Sequence, residues 1–320
     1  MNLRCPVCPH GCSLKEGQTG LCRVRTASGG KVIDAAWGRI SGLSMDPVEK
    51  KPLYHYYPGS AILSVGFYGC SFRCPFCQNH SISQNPGPPA GRGEKILTPE
   101  ALVDLALENR SFGIAYTYSE PLVHLEYLLE ACRLARRKGL KNVLISNGFI
   151  NPEPAQELIP LLDAANIDLK SFNPDFYRRE LKGELEPVLD FFRRAAGRIH
   201  LEATTLIIPG KNDSEEEMDA LSGFLAGLDE SIPLHLSAYY PQYRYTLPPT
   251  PPETVLELVK IARRNLRYVY PGNLSGGDSD TRCRDCGALM VSRRGYRIES
   301  RLTEGGNCPS CGAAGPVVVK

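Results

Sequence analysis

Eleven of the twelve cysteines fall into three groups: Cys5, Cys8, Cys12 and Cys22; Cys70, Cys74 and Cys77; and Cys283, Cys286, Cys308 and Cys311. Four thiolates close a tetrahedral metal site, whereas three on a four-iron cluster leave one iron without a protein ligand. An open iron can bind a substrate. The central three are therefore the candidates for catalysis and the outer quartets for structure. The twelfth, Cys132, shares an i, i+3, i+4, i+7 stripe with Leu125, Leu128 and Leu129 and reads as helix core.

The C-terminal quartet pairs two Cys-x2-Cys knuckles about twenty residues apart, each followed by a glycine (Gly287, Gly312), with strand-like residues 288–298 between them. This is a zinc-ribbon signature, with a rubredoxin-like iron site as the alternative, and the metal would supply folding energy to a module of about 40 residues. At the N-terminus, four cysteines in eighteen residues have a less familiar spacing. Zinc is expected there too, with an auxiliary iron–sulfur cluster as the alternative and His10 able to replace one cysteine.

The elements that must position these groups read as α/β. Strand-like runs at 61–69, 112–119, 142–147, 166–171, 200–208 and 233–240 alternate with helical patterns, and six βα repeats predict a parallel sheet. Thr98 before Pro99 predicts a capped helix start, and Ser214 with Glu217 and Thr250 with Glu253 suggest capping boxes. The fold expected is a partial (β/α)6 TIM-like barrel over residues 61–274, with small metal-binding modules at 1–60 and 275–320. An open doubly wound sheet is the alternative. Residues 85–93 and 275–279 read as a Pro/Gly-rich loop and a linker.

The run Gly69-Cys70-Ser71-Phe72-Arg73-Cys74-Pro75-Phe76-Cys77 starts where the first strand ends, at the C-terminal mouth of the sheet, where active sites of such folds gather. A zinc site completed by His80 is the alternative. The Cys-x3-Cys-x2-Cys loop with aromatic Phe76 before its third cysteine resembles the radical S-adenosylmethionine (SAM) superfamily. The resemblance implies a [4Fe–4S] cluster on Cys70, Cys74 and Cys77, whose open iron holds SAM. Cleavage by one electron, from a donor such as ferredoxin or flavodoxin, then gives a 5′-deoxyadenosyl radical. Tyr118-Ser119-Glu120, after the second strand, stands where the superfamily has a Gly-Gly-Glu-like motif for the SAM amino group. Ser146-Asn147-Gly148 resembles its ribose-contacting turn. The segment Asp168-Leu169-Lys170 resembles the Asp-Leu-Lys strand of glycyl-radical-enzyme activases; a plain ion pair is the alternative there, as is a helix opening for Glu120. His235, on a two-faced strand, is a pocket candidate, with packing as the alternative.

The N-terminal knuckle, the run from Asp46 to His55, the triad loop and the ribbon together resemble the AmmeMemoRadiSam radical SAM enzymes, which implies Ammecr-like and Memo-like partner proteins. The barrel is also similar to pyruvate formate-lyase-activating enzymes. The substrate expected is a small molecule or lipid or, for an activase, a protein; a non-catalytic zinc-binding protein would leave the triad loop unexplained. With 37 basic against 35 acidic residues, no overall field points to nucleic acid or a membrane surface. The first ten residues lack the apolar run of a signal peptide and no stretch reaches the roughly 20 apolar residues of a membrane span, so a cytoplasmic protein with reduced thiols is expected.

Overall fold

The computed structural model describes residues 2–87, 96–274 and 278–319. Much of the 85–93 loop and the 275–279 linker thus lies outside the described residues. Eight strands form the main sheet: β1 (Gly42–Pro47), β2 (Ala61–Gly66), β3 (Gly113–Thr117), β4 (Lys141–Ser146), β5 (Ala164–Asp168), β6 (His200–Ile207), β7 (Leu234–Ala238) and β8 (Val269–Gly272). They lie side by side in chain order, β1 antiparallel to β2 and the other neighbours parallel. The two ends, β1 and β8, do not pair, so the barrel is partial.

Among the described residues the six longer helices are α1 (Pro99–Glu108), α2 (Leu125–Arg137), α3 (Pro152–Leu158), α4 (Glu186–Ala195), α5 (Glu215–Leu228) and α6 (Pro252–Ala262). Leu125, Leu128, Leu129 and Cys132 of α2 are all buried, as their spacing requires. Every residue of β3 is buried, because helices cover one face and the barrel interior the other.

The sheet exceeds the six expected units at both ends. β8, Val-Tyr-Pro-Gly, was hidden by its proline and glycine, which an edge strand tolerates. β1 begins with three exposed residues and buries only Asp46, so it lacks the alternation of a strand with one wet face. Thr98 Oγ1 accepts from the Ala101 N–H and Ser214 caps α5 through the Glu217 N–H. The Glu217 carboxylate, however, leaves its helix to accept from Ser171 and from the Phe172 N–H at 2.7 Å. Thr250 is no cap: its hydroxyl donates to the Ile207 carbonyl at 2.6 Å and accepts from the Tyr239 N–H, and Pro251 opens α6.

The run from Asp46 to His55 packs into the barrel interior. Asp46, Glu49, Lys51 and His55 are buried, and the segment docks through the Pro52 carbonyl, which accepts from Asn166 Nδ2 at 2.7 Å. Glu202 of β6 accepts from the Tyr54 and His55 N–H groups. Beyond β8, three antiparallel strands, β9 (Thr281–Arg282), β10 (Leu289–Arg294) and β11 (Arg297–Ser300), form the C-terminal module. Arg293 anchors it by donating to the Tyr54 carbonyl at 2.6 Å, and Val318 donates to the His55 carbonyl. Among the described residues, no helix is long and apolar enough to cross a membrane.

Candidate active site and metal centres

The triad loop leaves the end of β2 at the C-terminal mouth of the sheet. Gly69 makes the turn at φ +76°, a conformation that favours glycine. Gly183 makes room for the loop: a Cβ there would lie 2.3 Å from the Phe72 ring. Cys74 is buried, while Cys70 and Cys77 are half-buried. Donors already face the sulfurs, with the Phe72 N–H 3.3 Å and Asn147 Nδ2 3.7 Å from Cys70 Sγ, and Ser83 Oγ 3.3 Å from Cys77 Sγ. Burial pushes Cys74 up to about 12, and crowding by protein, with Glu120 near, pushes Cys70 well above the ordinary thiol value. Thiols so placed stay protonated until a cationic centre takes the proton's place, which fits this donor set to a metal cluster.

Glu120, 1% exposed, stands beside this loop. Its Oε1 accepts from the Leu122 N–H at 3.0 Å and from Ser146 Oγ at 2.6 Å, and its Oε2 from the Asn147 N–H at 2.9 Å. It therefore does open the short helix Pro121–His124, and it also joins the ends of β3 and β4. Three of about four acceptor positions on a carboxylate are used, leaving room for one outside donor. Burial raises its pKa to about 7, against the pull of Ser146 and Asn147.

The Asp168-Lys170 pair closes at 2.9 Å. Burial drives the Lys170 ammonium down, but Asp168 and Cys74 outweigh it and hold the group above its ordinary value. Phe76 packs on Tyr245 at 5.7 Å between centroids, while the Pro75 carbonyl accepts from the Arg244 and Tyr245 N–H groups. Tyr118, at φ +26°, accepts at its hydroxyl from Lys51 Nζ at 3.1 Å, and Ser119 donates to the Phe67 carbonyl at 3.2 Å. Lys51 in turn meets Asp46 at 2.7 Å; burial would raise that carboxyl, but Lys50 and Lys51 hold it well below the usual range.

The structure thus brings Cys70, Cys74, Ser146, Asn147, Glu120, Asp168 and Lys170 to one mouth. His235 sits apart, with Nε2 2.6 Å from Glu202 and its ring edge-on to Tyr54 at 4.6 Å. It lines a cavity of about 920 Å³ between the barrel and the C-terminal module, with Tyr54, Ser237, Arg293, Arg294 and Tyr296. Lys51, Arg293 and Ser83 were not singled out from sequence. A lysine within a run of charged and apolar residues reads as solvated, and only tertiary pairing reveals it as buried.

The C-terminal sulfurs all lie within 4.8 Å of one another, the pairs Cys283–Cys311 and Cys286–Cys308 at 3.7 and 3.6 Å. Tetrahedral zinc–thiolate bonds of about 2.3 Å place sulfurs about 3.8 Å apart, so these residues fit a metal ion. Each knuckle turns identically: Gly287 donates to the Cys283 carbonyl and Gly312 to the Cys308 carbonyl. Among the described residues this is the one group gathered so tightly. The N-terminal cysteines are looser, although Cys5, Cys8 and Cys22 are buried and Cys8 lies within electrostatic reach of Cys5, Cys12 and Cys22.

Residues 64–221 match the Radical SAM superfamily. An uncharacterized protein of Methanocaldococcus jannaschii is 39% identical over 319 residues, 97% of this chain and 94% of that protein. Pyruvate formate-lyase 1-activating enzyme of Escherichia coli is 22% identical over 57% of this chain and 75% of its own. Among solved structures, TYW1 with a lysine-pyruvate adduct bound shares the fold at a TM-score of 0.50 and 18% identity, over 71% of this chain and 85% of that one.

Proposed function

The chain belongs to the radical SAM superfamily, and from that premise we propose that it reductively cleaves SAM at a [4Fe–4S] cluster on Cys70, Cys74 and Cys77, the 5′-deoxyadenosyl radical so formed abstracting hydrogen from a substrate enclosed at the barrel mouth. The observation that carries this reading is the Glu120 carboxylate, one acceptor position free, tied through Asn147 to the Cys70 sulfur.

Each side chain has a part that its geometry supports. The Phe72 N–H and the Asn147 amide donate toward the Cys70 sulfur and so tune its charge. Glu120, oriented by Ser146, receives the SAM ammonium in a charge-assisted hydrogen bond. Asn147 and Ser146 also border the ribose, and Lys170, held charged by Asp168, offers a cation beside Cys74. Tyr118 and Ser119 fix the strand end by backbone and hydroxyl contacts. Phe76, backed by Tyr245, walls the site from water, which a reactive radical requires. His235, held by Glu202, and Tyr54 line the separate cavity against the C-terminal module and take no part in the cleavage.

In this reading zinc occupies the C-terminal quartet and the N-terminal one, ferredoxin or flavodoxin supplies the electron, and Ammecr-like and Memo-like proteins act alongside. A second reading, in which the radical is placed on a protein, draws support from the pyruvate formate-lyase 1-activating enzyme relative. The test is 5′-deoxyadenosine formation by anaerobically prepared full-length protein under reduction. Cys74→Ala should abolish it; Glu120→Ala should lower it on the order of 100-fold with the cluster intact. Fully clustered protein that does not bind SAM would overturn the proposal.

A further inference from the structure

The N-terminal quartet grips the triad loop from both sides of Cys70. His10, between Cys8 and Cys12, has its Nε2 2.9 Å from the Ser71 carbonyl, and its ring meets Phe149 edge-on at 5.1 Å. On the other side, Gly69 lies against Cys22: a Cβ on Gly69 would stand 2.4 Å from the Cys22 carbonyl oxygen and 2.9 Å from Val24 Cγ1. Asn151, after β4, donates its N–H to the Val7 carbonyl at 3.0 Å and its Nδ2 to the Pro6 carbonyl at 2.6 Å. The Cys5–Cys8 loop is thereby held over the strand end that carries Ser146 and Asn147.

Backbone donors face two of the four sulfurs. Cys22 Sγ accepts from the Val24 and Arg25 N–H groups and Cys8 Sγ from the His10 N–H. Cys308 in the metal-ready C-terminal quartet makes the same contacts, with residues two and three ahead. Arg73, within electrostatic reach of both Cys70 and Cys22, donates to the Cys70 and Phe72 carbonyls at 3.2 Å and so supplies a cation near a sulfur of each group.

We propose that Cys5, Cys8, Cys12 and Cys22 bind a metal ion that clamps the triad loop through Cys22 and His10, so that occupancy of the N-terminal site governs retention and electronic environment of the cluster at Cys70. The proposal rests on the assignment of that cluster to the triad. Two loops pinned by one ion hold Gly69 and Ser71 at fixed separation, and Cys70 lies between them.

The test uses full-length protein prepared without oxygen, with zinc, iron and sulfide analysis, iron loss to a chelator, and electron paramagnetic resonance of the reduced cluster with and without SAM. Cys8→Ser/Cys12→Ser should lose one metal equivalent, release cluster iron faster and change the resonance. His10→Ala should keep the N-terminal metal yet weaken iron retention on the order of tenfold, the scale for loss of an outer partner of a metal site. Cys283→Ser/Cys286→Ser should lose its own metal with the resonance unchanged. Unchanged metal content in Cys8→Ser/Cys12→Ser would overturn the site. Loss of that metal with parental iron retention, resonance and SAM response would overturn the clamp. Cluster iron that survives Cys70→Ala/Cys74→Ala/Cys77→Ala would overturn the triad assignment and the clamp together.

Discussion

Asn147 joins the Glu120 carboxylate to the Cys70 sulfur: its backbone N–H donates to Glu120 Oε2 at 2.9 Å and its side-chain amide stands 3.7 Å from Cys70 Sγ. The same amide donates to Ser71 Oγ at 3.1 Å, and the Asn147 carbonyl oxygen Oδ1 accepts from the Phe149 N–H. The side chain is therefore fixed at both ends, one residue past the end of β4.

Asn147→Ala should make the cluster harder to reduce. A hydrogen bond to a ligating sulfur stabilises the reduced, more negative state, so losing it lowers the potential. The backbone bond to Glu120 would persist, which separates this effect from loss of SAM orientation. A potentiometric titration followed by electron paramagnetic resonance checks it, and an unchanged midpoint would count against the amide acting on the sulfur.

Removal of the C-terminal metal should unfold its module and leave the barrel standing. The buried core of this module is small, chiefly Met290, Val291 and Val317 around Cys283 and Cys308. Such a core does not supply several kcal/mol by itself, and metal binding supplies the rest. Cys286→Ser/Cys311→Ser should lose one metal equivalent and expose the chain after residue 280 to protease, with far-ultraviolet dichroism near the parent's. A protease-resistant variant would contradict a metal-dependent fold.

The C-terminal quartet, the place of the triad loop at the mouth of the sheet and the alternation of strand and helix were legible because cysteine spacing and hydrophobic period are local properties. β8 and β1 were not, since a strand containing Pro271 and Gly272 and a half-exposed edge carry no clean period. At the site, Glu120, Ser146 and Asn147 could be placed from their positions after strands. Their mutual bonds could not, because strand register across β3 and β4 sets them. Lys51, 1% exposed and answering to Asp46 and Tyr118, shows the limit most plainly: its sequence neighbours are charged, and only the barrel interior makes it a buried ion.

Arg293→Ala should loosen the C-terminal module from the barrel. Its guanidinium donates to Ser279 O at 2.9 Å, Thr281 Oγ1 at 2.8 Å and Tyr54 O at 2.6 Å, and it lies 4.4 Å from the Tyr54 ring centroid. Truncation leaves buried acceptors unpaired at a cost of about 3 kcal/mol. Lysine cannot reproduce a planar fork that reaches three oxygens, so Arg293→Lys should recover less than half of the lost melting temperature. Full recovery by lysine would mean that charge alone matters there.

Between pH 6.5 and 4.5, His55 and Glu120 should pull stability in opposite directions. Burial drops the His55 pKa to about 3; its Nε2 meets the Tyr270 hydroxyl at 2.7 Å and its Nδ1 has no hydrogen-bond partner among the described residues. The unfolded chain then binds a proton near its ordinary 6.5 that the folded chain refuses, so His55 costs stability as pH falls from 6.5. Glu120, raised by burial to about 7, binds its proton more readily when folded than its ordinary 4.5 allows. Its folded state is therefore favoured by acidification from 7 to 4.5, and the penalty of burying its charge returns as pH rises. Each group contributes at most about 1.4 kcal/mol per pH unit in its window, so the two largely offset where the windows overlap. Replacing one should expose the other. Measured without SAM, Glu120→Gln should lose melting temperature more steeply than the parent on acidification from pH 6.5 to 4.5, and His55→Gln less steeply. Three parallel curves would show that neither group titrates differently in the folded and unfolded chains.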